Sequence, residues 1–331
     1  MVAVQIRERP MYKNQRIIID TRKYDVDEVF ERYKHGQLFF YEKRSAARAH
    51  KNKVTREVLE ALWKGIPFPP VYVSELQNGA LLVLEKNNRL RFLMEYLEYG
   101  FDVNSKDTSE LEETKHFLEK MERYGSKKDI YYSAVILHVI DYLNPKYMHM
   151  QVGAFIEEWT NLQEQSIRNI LYHGEGMEFF GELLSKIDYP LRLELNIQYN
   201  LIYFLMVHCV ASRFFNAREV QSADRFQLLE YTLYGLQDMD GRFLDGLCEQ
   251  FESLYYFLGR KANSSSLFIR ISAEDRTKYL CFMGIWEKIR TGENRMEVFE
   301  NKRVRNMVER CDMSFMGINR IAEIFREGDL W

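Results

Sequence analysis

Between Ala80 and Gly100 the chain reads ALLVLEKNNRLRFLMEYLEYG, a stretch in which strand-like composition turns abruptly into helical spacing. Ala80–Leu84 is a short apolar run suited to a buried strand, and Leu90 to about Tyr99 repeats apolar residues at the period of an amphipathic helix. A fold that accepts this stretch must hold a sheet and a helix in direct succession. The corner between them is Glu85-Lys86-Asn87-Asn88-Arg89. A helix leaves its first N–H groups without helical partners, and that end carries about half a positive charge, so the corner is a ready site for phosphate or carboxylate. The plainer use of the same residues is capping of the helix by Asn87 or Asn88.

The 331 residues suffice for one large or two ordinary domains. With 46% hydrophobic and 14% aromatic residues the chain is a folded protein rather than a disordered one. A net charge of −3 and a pI of about 6.2 exclude nucleic-acid binding by bulk charge, so any DNA contact falls to a local patch. Cys209, Cys248, Cys281 and Cys311 form no Cys-x-x-Cys pair, which points away from a zinc knuckle and towards buried, reduced thiols of a cytoplasmic protein. The start, MVAVQIRERP, is charged too early for a secretory signal. The longest apolar run, Leu201–Ala211, includes His208 and is shorter than the roughly 20 residues a bilayer requires; it suits a buried core helix, and no membrane association is expected.

In chain order, Arg16–Ile19 is strand-like, and Tyr24–Tyr33 places Val26, Val29, Phe30 and Tyr33 on one helical face. Leu38–Tyr41 is a strand candidate. Glu42–Arg56 holds Lys43, Arg44, Arg48, Lys51, Lys53 and Arg56, and reads either as a solvated loop and helix start or as an anion-binding rim. Thr55 can cap a helix over 55–63, which Gly65 ends. Pro67, Pro69 and Pro70 force an extended path into Val71–Val73, joined to Ala80–Leu84 by a hairpin-type connection. Residues 101–129 are polar with helical spacing, Tyr131–Ile140 supplies a further strand, and Asn144-Pro145 breaks it. Beyond Gln151 helices are expected at about 177–187, 192–215, 222–237, 241–259, 273–290, 296–310 and 314–327, with a loop over Lys261–Ser266. The pairs Tyr131-Tyr132 and Tyr255-Tyr256 read as core and interface. There is no metalloprotease, P-loop, nucleophile-elbow or HNH-type motif.

Taken in order, these parts resemble the N-terminal domain family of GmrSD-type restriction endonucleases, whose fold is related to ParB and sulfiredoxin. The family's Asp-Gly-Gln-Gln-Arg-Leu motif at a strand-to-helix corner corresponds to Glu85, Lys86, Asn87, Asn88, Arg89 and Leu90. Its upstream Gln-Arg pair corresponds to Lys43-Arg44, followed by a helix and the segment Gly65-Ile66-Pro67-Phe68-Pro69-Pro70. Its downstream Leu-x-x-x-Glu-hydrophobic-Arg-Asn segment corresponds to Leu162–Asn169, with Ser166 in the place of the acid and Arg168-Asn169 retained. The chain departs from the pattern at Lys86, where the family has the glycine that lets phosphate approach the backbone, and it is shorter before Leu162.

The resemblance implies an α+β protein: a small ParB/sulfiredoxin-like mixed-sheet domain over 1–145, then a mainly α-helical domain over 146–331. It also implies a nucleotide- or DNA-phosphate-binding component of a prokaryotic or phage restriction or defence system, binding a nucleoside triphosphate with Mg2+ and acting beside a separate nuclease. In that reading Glu85 is the catalytic or metal-orienting acid, and Lys43, Arg44, Lys86, Asn87, Asn88, Arg89, Arg168 and Asn169 hold phosphate. The alternatives are a catalytically inactive interaction module and a stand-alone ParB-like nuclease.

Overall fold

The structure, a computed structural model, describes residues 16–41, 48–84, 88–101, 108–124, 127–157, 159–174, 176–192, 194, 196–262, 272–290 and 295–327. These divide into two compact units, 16–159 and 160 onward. The first holds a sheet and the second is helical, which makes the protein α+β.

In the sheet unit, β1 (Ile19–Asp25) leads into α1 (Val26–Lys34). Asp25 accepts from the Glu28 amide while the Glu28 carboxylate accepts from the Asp25 amide, a reciprocal cap that fixes where strand becomes helix. Then come β2 (Leu38–Phe40), α2 (Arg48–Trp63), β3 (Val71–Glu75), β4 (Leu81–Val83), α3 (Asn88–Tyr99), α4 (Thr108–Tyr124), α5 (Lys127–Tyr131), β5 (Ala134–Ile140) and α6 (Lys146–Ile156). The sheet order is β1-β5-β3-β4-β2. β1 runs antiparallel to β5 and β3 antiparallel to β4, while β3–β5 and β4–β2 are parallel.

Strand alternation sends Val71, Val73, Leu81, Val83, Val135, Leu137 and Val139 into one cluster. Val73 lies opposite both Val83 and Val139, so one register carries valines across three strands. The cluster is completed by Val29 of α1, Leu59 and Leu62 of α2, Leu90 and Leu93 of α3, and Ile130 of α5. Each such side chain contributes about 1.5–3 kcal/mol on burial. The hairpin between β3 and β4 forms as the sequence predicts: Gly79, at φ 77°, closes it, and its amide donates to the Leu76 carbonyl.

Ser74 on β3 is buried and meets His149 of α6, Oγ to Nδ1 at 2.6 Å. His149 Nε2 lies 3.3 Å from the Asn144 carbonyl, which can only accept. The proton therefore sits on Nε2, and the Ser74 hydroxyl donates to Nδ1. Burial pulls the His149 pKa down to about 4, only partly opposed by the bond to Asn144. With neither group open to solvent, the pair ties α6 to the sheet. Farther along α6, a Cβ on Gly153 would lie 1.8 Å from Cζ2 of Trp159. Gly153→Ala is expected to destabilise the sheet unit by at least about 1–3 kcal/mol, read from urea unfolding, because the indole has to leave its seat.

Several boundaries differ from the sequence reading. The first strand runs Ile19–Asp25 rather than 16–19, because an edge strand paired to β5 tolerates polar residues on an open face. Thr55 does not cap a helix; α2 starts at Arg48, and the Thr55 hydroxyl donates to the Lys51 carbonyl inside it. The strand expected from Tyr131 starts at Ala134, since 127–131 is helical. α6 belongs with the sheet, so that unit extends to Trp159 rather than ending at 145.

The helical unit comprises α7 (Asn161–Leu171), α8 (Met177–Lys186), α9 (Tyr189–Arg192), α10 (Ile197–Ala211), α11 (Ala217–Val220), α12 (Arg225–Gly235), α13 (Gly241–Ala262), α14 (Ala273–Ile289), α15 (Arg295–Glu300), α16 (Lys302–Glu309) and α17 (Phe315–Glu327). α10 carries the longest apolar run and is buried on all sides, as expected for a central helix. α14 lies directly against it: a Cβ on Gly284 would lie 2.7 Å from the Phe204 ring and 2.8 Å from that of His208. His208 donates from Nδ1 to the Phe204 carbonyl at 2.9 Å, and burial lowers its pKa to about 4. The helix expected over 296–310 is broken at Asn301, whose side chain caps α16 through the Arg303 amide. All four cysteines are buried free thiols. Tyr132 and Tyr256 are exposed rather than core; the Tyr256 hydroxyl donates to Asp188. Among the described residues no helix is long and apolar enough to cross a membrane.

Candidate functional site

The strand-to-helix corner has the form the sequence predicts on both of its flanks. Leu84 is buried and its amide donates to the Tyr72 carbonyl, extending β4 by one residue. α3 opens at Asn88, and its inner face (Leu90, Phe92, Leu93 and Met94) is buried. That packing fixes the helix axis and hence the direction of its N-terminal N–H groups. Arg89 is exposed in the first turn, and that turn holds no acid. A guanidinium near the positive end of a helix, with no acid beside it in that turn, favours an anion from solution.

Glu85, Lys86 and Asn87 lie outside the described residues, as do Lys43, Arg44 and the side chain of Asn88. Among the described side chains of the basic stretch that precedes the corner, Lys51 and Arg56 are engaged within the sheet unit. Lys51 pairs with Glu95 of α3 at 2.7 Å, and Arg56 reaches Glu113 and Thr114 of α4, each at 2.6 Å. Arg91 also faces Glu95, at 3.4 Å. The Lys51 and Arg56 pairs staple α2 to α3 and α4; among the described side chains of the two helices, Arg89 and Lys53 are exposed cations.

Arg168 and Asn169 lie in the helical unit. Arg168 is 1% exposed. Its Nη2 donates to Glu164 at 2.6 Å and its Nη1 to Gln165 at 2.9 Å, so both amino groups are engaged on its own helix. The Tyr203 hydroxyl donates to the same Glu164 oxygen at 2.8 Å, and Arg225 stands 3.8 Å from the other. Burial, with the Glu164 charge adding to it, pushes the phenol of Tyr203 well above its usual range. Asn169 accepts from Gln165 and donates to Gln198. The geometry of Arg168 and Asn169 is that of an internal polar network, with both amino groups of Arg168 and the side-chain amide of Asn169 matched to partners within the helical unit.

The Glu164–Arg168 spacing of four was open to a sequence reading as a helical ion pair; Tyr203 and Arg225, which complete the network, carried no sequence signal. The Ser74–His149 bond was likewise unmarked. Among the described residues no group of three His, Cys, Asp or Glu is arranged to hold a metal ion. No family model matches the chain, and no curated protein or solved structure matches it.

Proposed function

We propose that the protein binds the phosphates of a nucleotide or of DNA at the corner preceding α3, and that it serves as the sensing or regulatory component of a prokaryotic or phage restriction or defence system. The observation that supports this most is Arg89, exposed on the acid-free first turn of a helix whose inner face is anchored in the core. Lys86 adds positive charge at the corner, and the order of segments from Lys43 to Asn169 adds the resemblance to the GmrSD-type N-terminal domain. DNA cutting then falls to a separate nuclease. Hydrolysis of a bound triphosphate, where it occurs, falls to Glu85. The engagement of Arg168 by Glu164 and Gln165 favours a second reading, in which the fold is kept for binding a protein partner.

A thermal-shift screen against the eight common NTPs and dNTPs, with and without magnesium, separates the two. A ligand at about 100 times its dissociation constant adds roughly 2.7 kcal/mol of stability. The phosphate reading expects such a shift with at least one nucleotide and its loss in Arg89→Ala. A flat screen on the folded protein rejects nucleotide binding and leaves the partner-binding reading.

A further inference from the structure

β1 is the outermost strand of the sheet: among the described residues no strand lies beyond it. Its register against β5 runs unbroken from Ile19 to Asp25. In an antiparallel pair, successive residues alternate between bonding the neighbour and turning away from it. The Asp141 amide donates to the Ile18 carbonyl, and the Val26 amide donates to the Ser133 carbonyl, at the two ends of that register. The even-numbered residues from Ile18 to Val26 therefore turn their backbone groups inward to β5. Ile19, Thr21 and Lys23 turn theirs outward, and all three residues are exposed. Such a row of outward N–H and C=O groups is a template for another strand.

The side chains of β1 select the occupant. Asp20 and Arg22 lie on one face of the strand, two residues apart, and bond each other at 2.9 Å. Arg22 also reaches Glu75 of β3 at 2.8 Å, which holds its guanidinium in place at the edge. Ile18 and Ile19 are apolar yet 58% and 39% exposed.

We propose that β1 pairs with β1 of a second copy of this chain, antiparallel about a two-fold axis at Thr21, so that two five-stranded sheets become one. Charge picks this register. Centred on Asp20, the pairing sets Asp20 against Asp20; centred on Arg22, it sets Arg22 against Arg22. Like charges directly opposite are unfavourable. Centred on Thr21, Asp20 of each copy lies opposite Arg22 of the other, and symmetry makes the ion pair twice. Thr21 then meets Thr21, a favourable cross-strand pair. Ile18 meets Tyr24, and Ile19 meets the aliphatic stem of Lys23. The outward-turned residues oppose one another, Thr21 with Thr21 and Ile19 with Lys23, as the bonded positions of the ladder require. The strand carries its own complement, which favours a second copy over an unrelated peptide.

The test is sedimentation velocity on the full chain, with cross-linking of Thr21→Cys and Lys23→Cys under mild oxidation. Opposed bonded residues have Cα atoms about 5.5 Å apart, within the span of a disulfide, and in this register only position 21 faces its own copy. The four native cysteines are buried, so wild type supplies the background. The proposal expects a dimer in the micromolar range and a covalent dimer from Thr21→Cys but not from Lys23→Cys. Asp20→Arg should weaken the dimer about tenfold or more, and the charge swap Asp20→Arg/Arg22→Asp should recover most of that loss, with all variants melting near wild type. A monomer throughout the micromolar range overturns the proposal. So does a dimer in which Thr21→Cys fails to cross-link, in which Lys23→Cys cross-links as readily, or which Asp20→Arg leaves unchanged.

Discussion

Glu164→Ala is expected to destabilise the helical unit by about 3–5 kcal/mol, the cost of leaving one partner of a buried ion pair without the other. The Glu164 carboxylate accepts from Arg168 and Tyr203, with Arg225 close by, and Arg168 and Tyr203 are fully buried. Its loss removes the acceptor of Arg168 Nη2 and of the Tyr203 hydroxyl, and leaves the guanidinium charge buried with only the neutral Gln165 bonded to it. The pair itself need not stabilise: replacing both members with apolar groups is often neutral or better. The double variant Glu164→Ala/Arg168→Met is therefore expected to recover most of the loss. Urea midpoints of the two single variants and the double close the cycle. A single-variant loss under about 1 kcal/mol would mean that water reaches the pair after all.

Acid should weaken both units well before the carboxylates titrate. His149 in the sheet unit and His208 in the helical unit have native pKa values of about 4, both lowered chiefly by burial, against an ordinary value of 6.5. Between those limits the unfolded chain takes up protons that the native state refuses, so stability falls as pH falls from 6.5 towards 4. At about 1.36 kcal/mol per unit, each histidine removes roughly 3 kcal/mol by the lower end. Urea unfolding at a series of pH values checks this. His149→Gln should flatten the curve of the sheet unit and His208→Gln that of the helical unit. Parallel curves for wild type and both variants would show that neither histidine is held neutral.

Residue pattern revealed most where local chemistry and tertiary need coincide. The apolar run at Ala80–Leu84, the turn at Gly79 and the helical spacing after Leu90 each point to the same hairpin and helix, and they form. The pattern is silent where tertiary position overrides it. β1 reads IDTRKYD, without apolar alternation, because it lies at the edge of the sheet. α6 follows a Pro break that signals a boundary, yet the chain folds back and His149 secures the helix to β3. Arg89 was legible as a residue at a helix start after a strand, and the structure places it exposed in the first turn of α3. Arg168 looked equivalent by motif, but its environment depends on Tyr203 and Arg225, which are remote in sequence.

The most direct test of a phosphate site at the corner is photo-cross-linking of an azido-nucleotide, chosen from the nucleotides that shift melting, followed by peptide mapping. The account predicts a label on the segment from Leu84 through Leu93, competed by unmodified nucleotide and lost in Arg89→Ala. A competed label confined to other segments, or one that persists in Arg89→Ala, would contradict it.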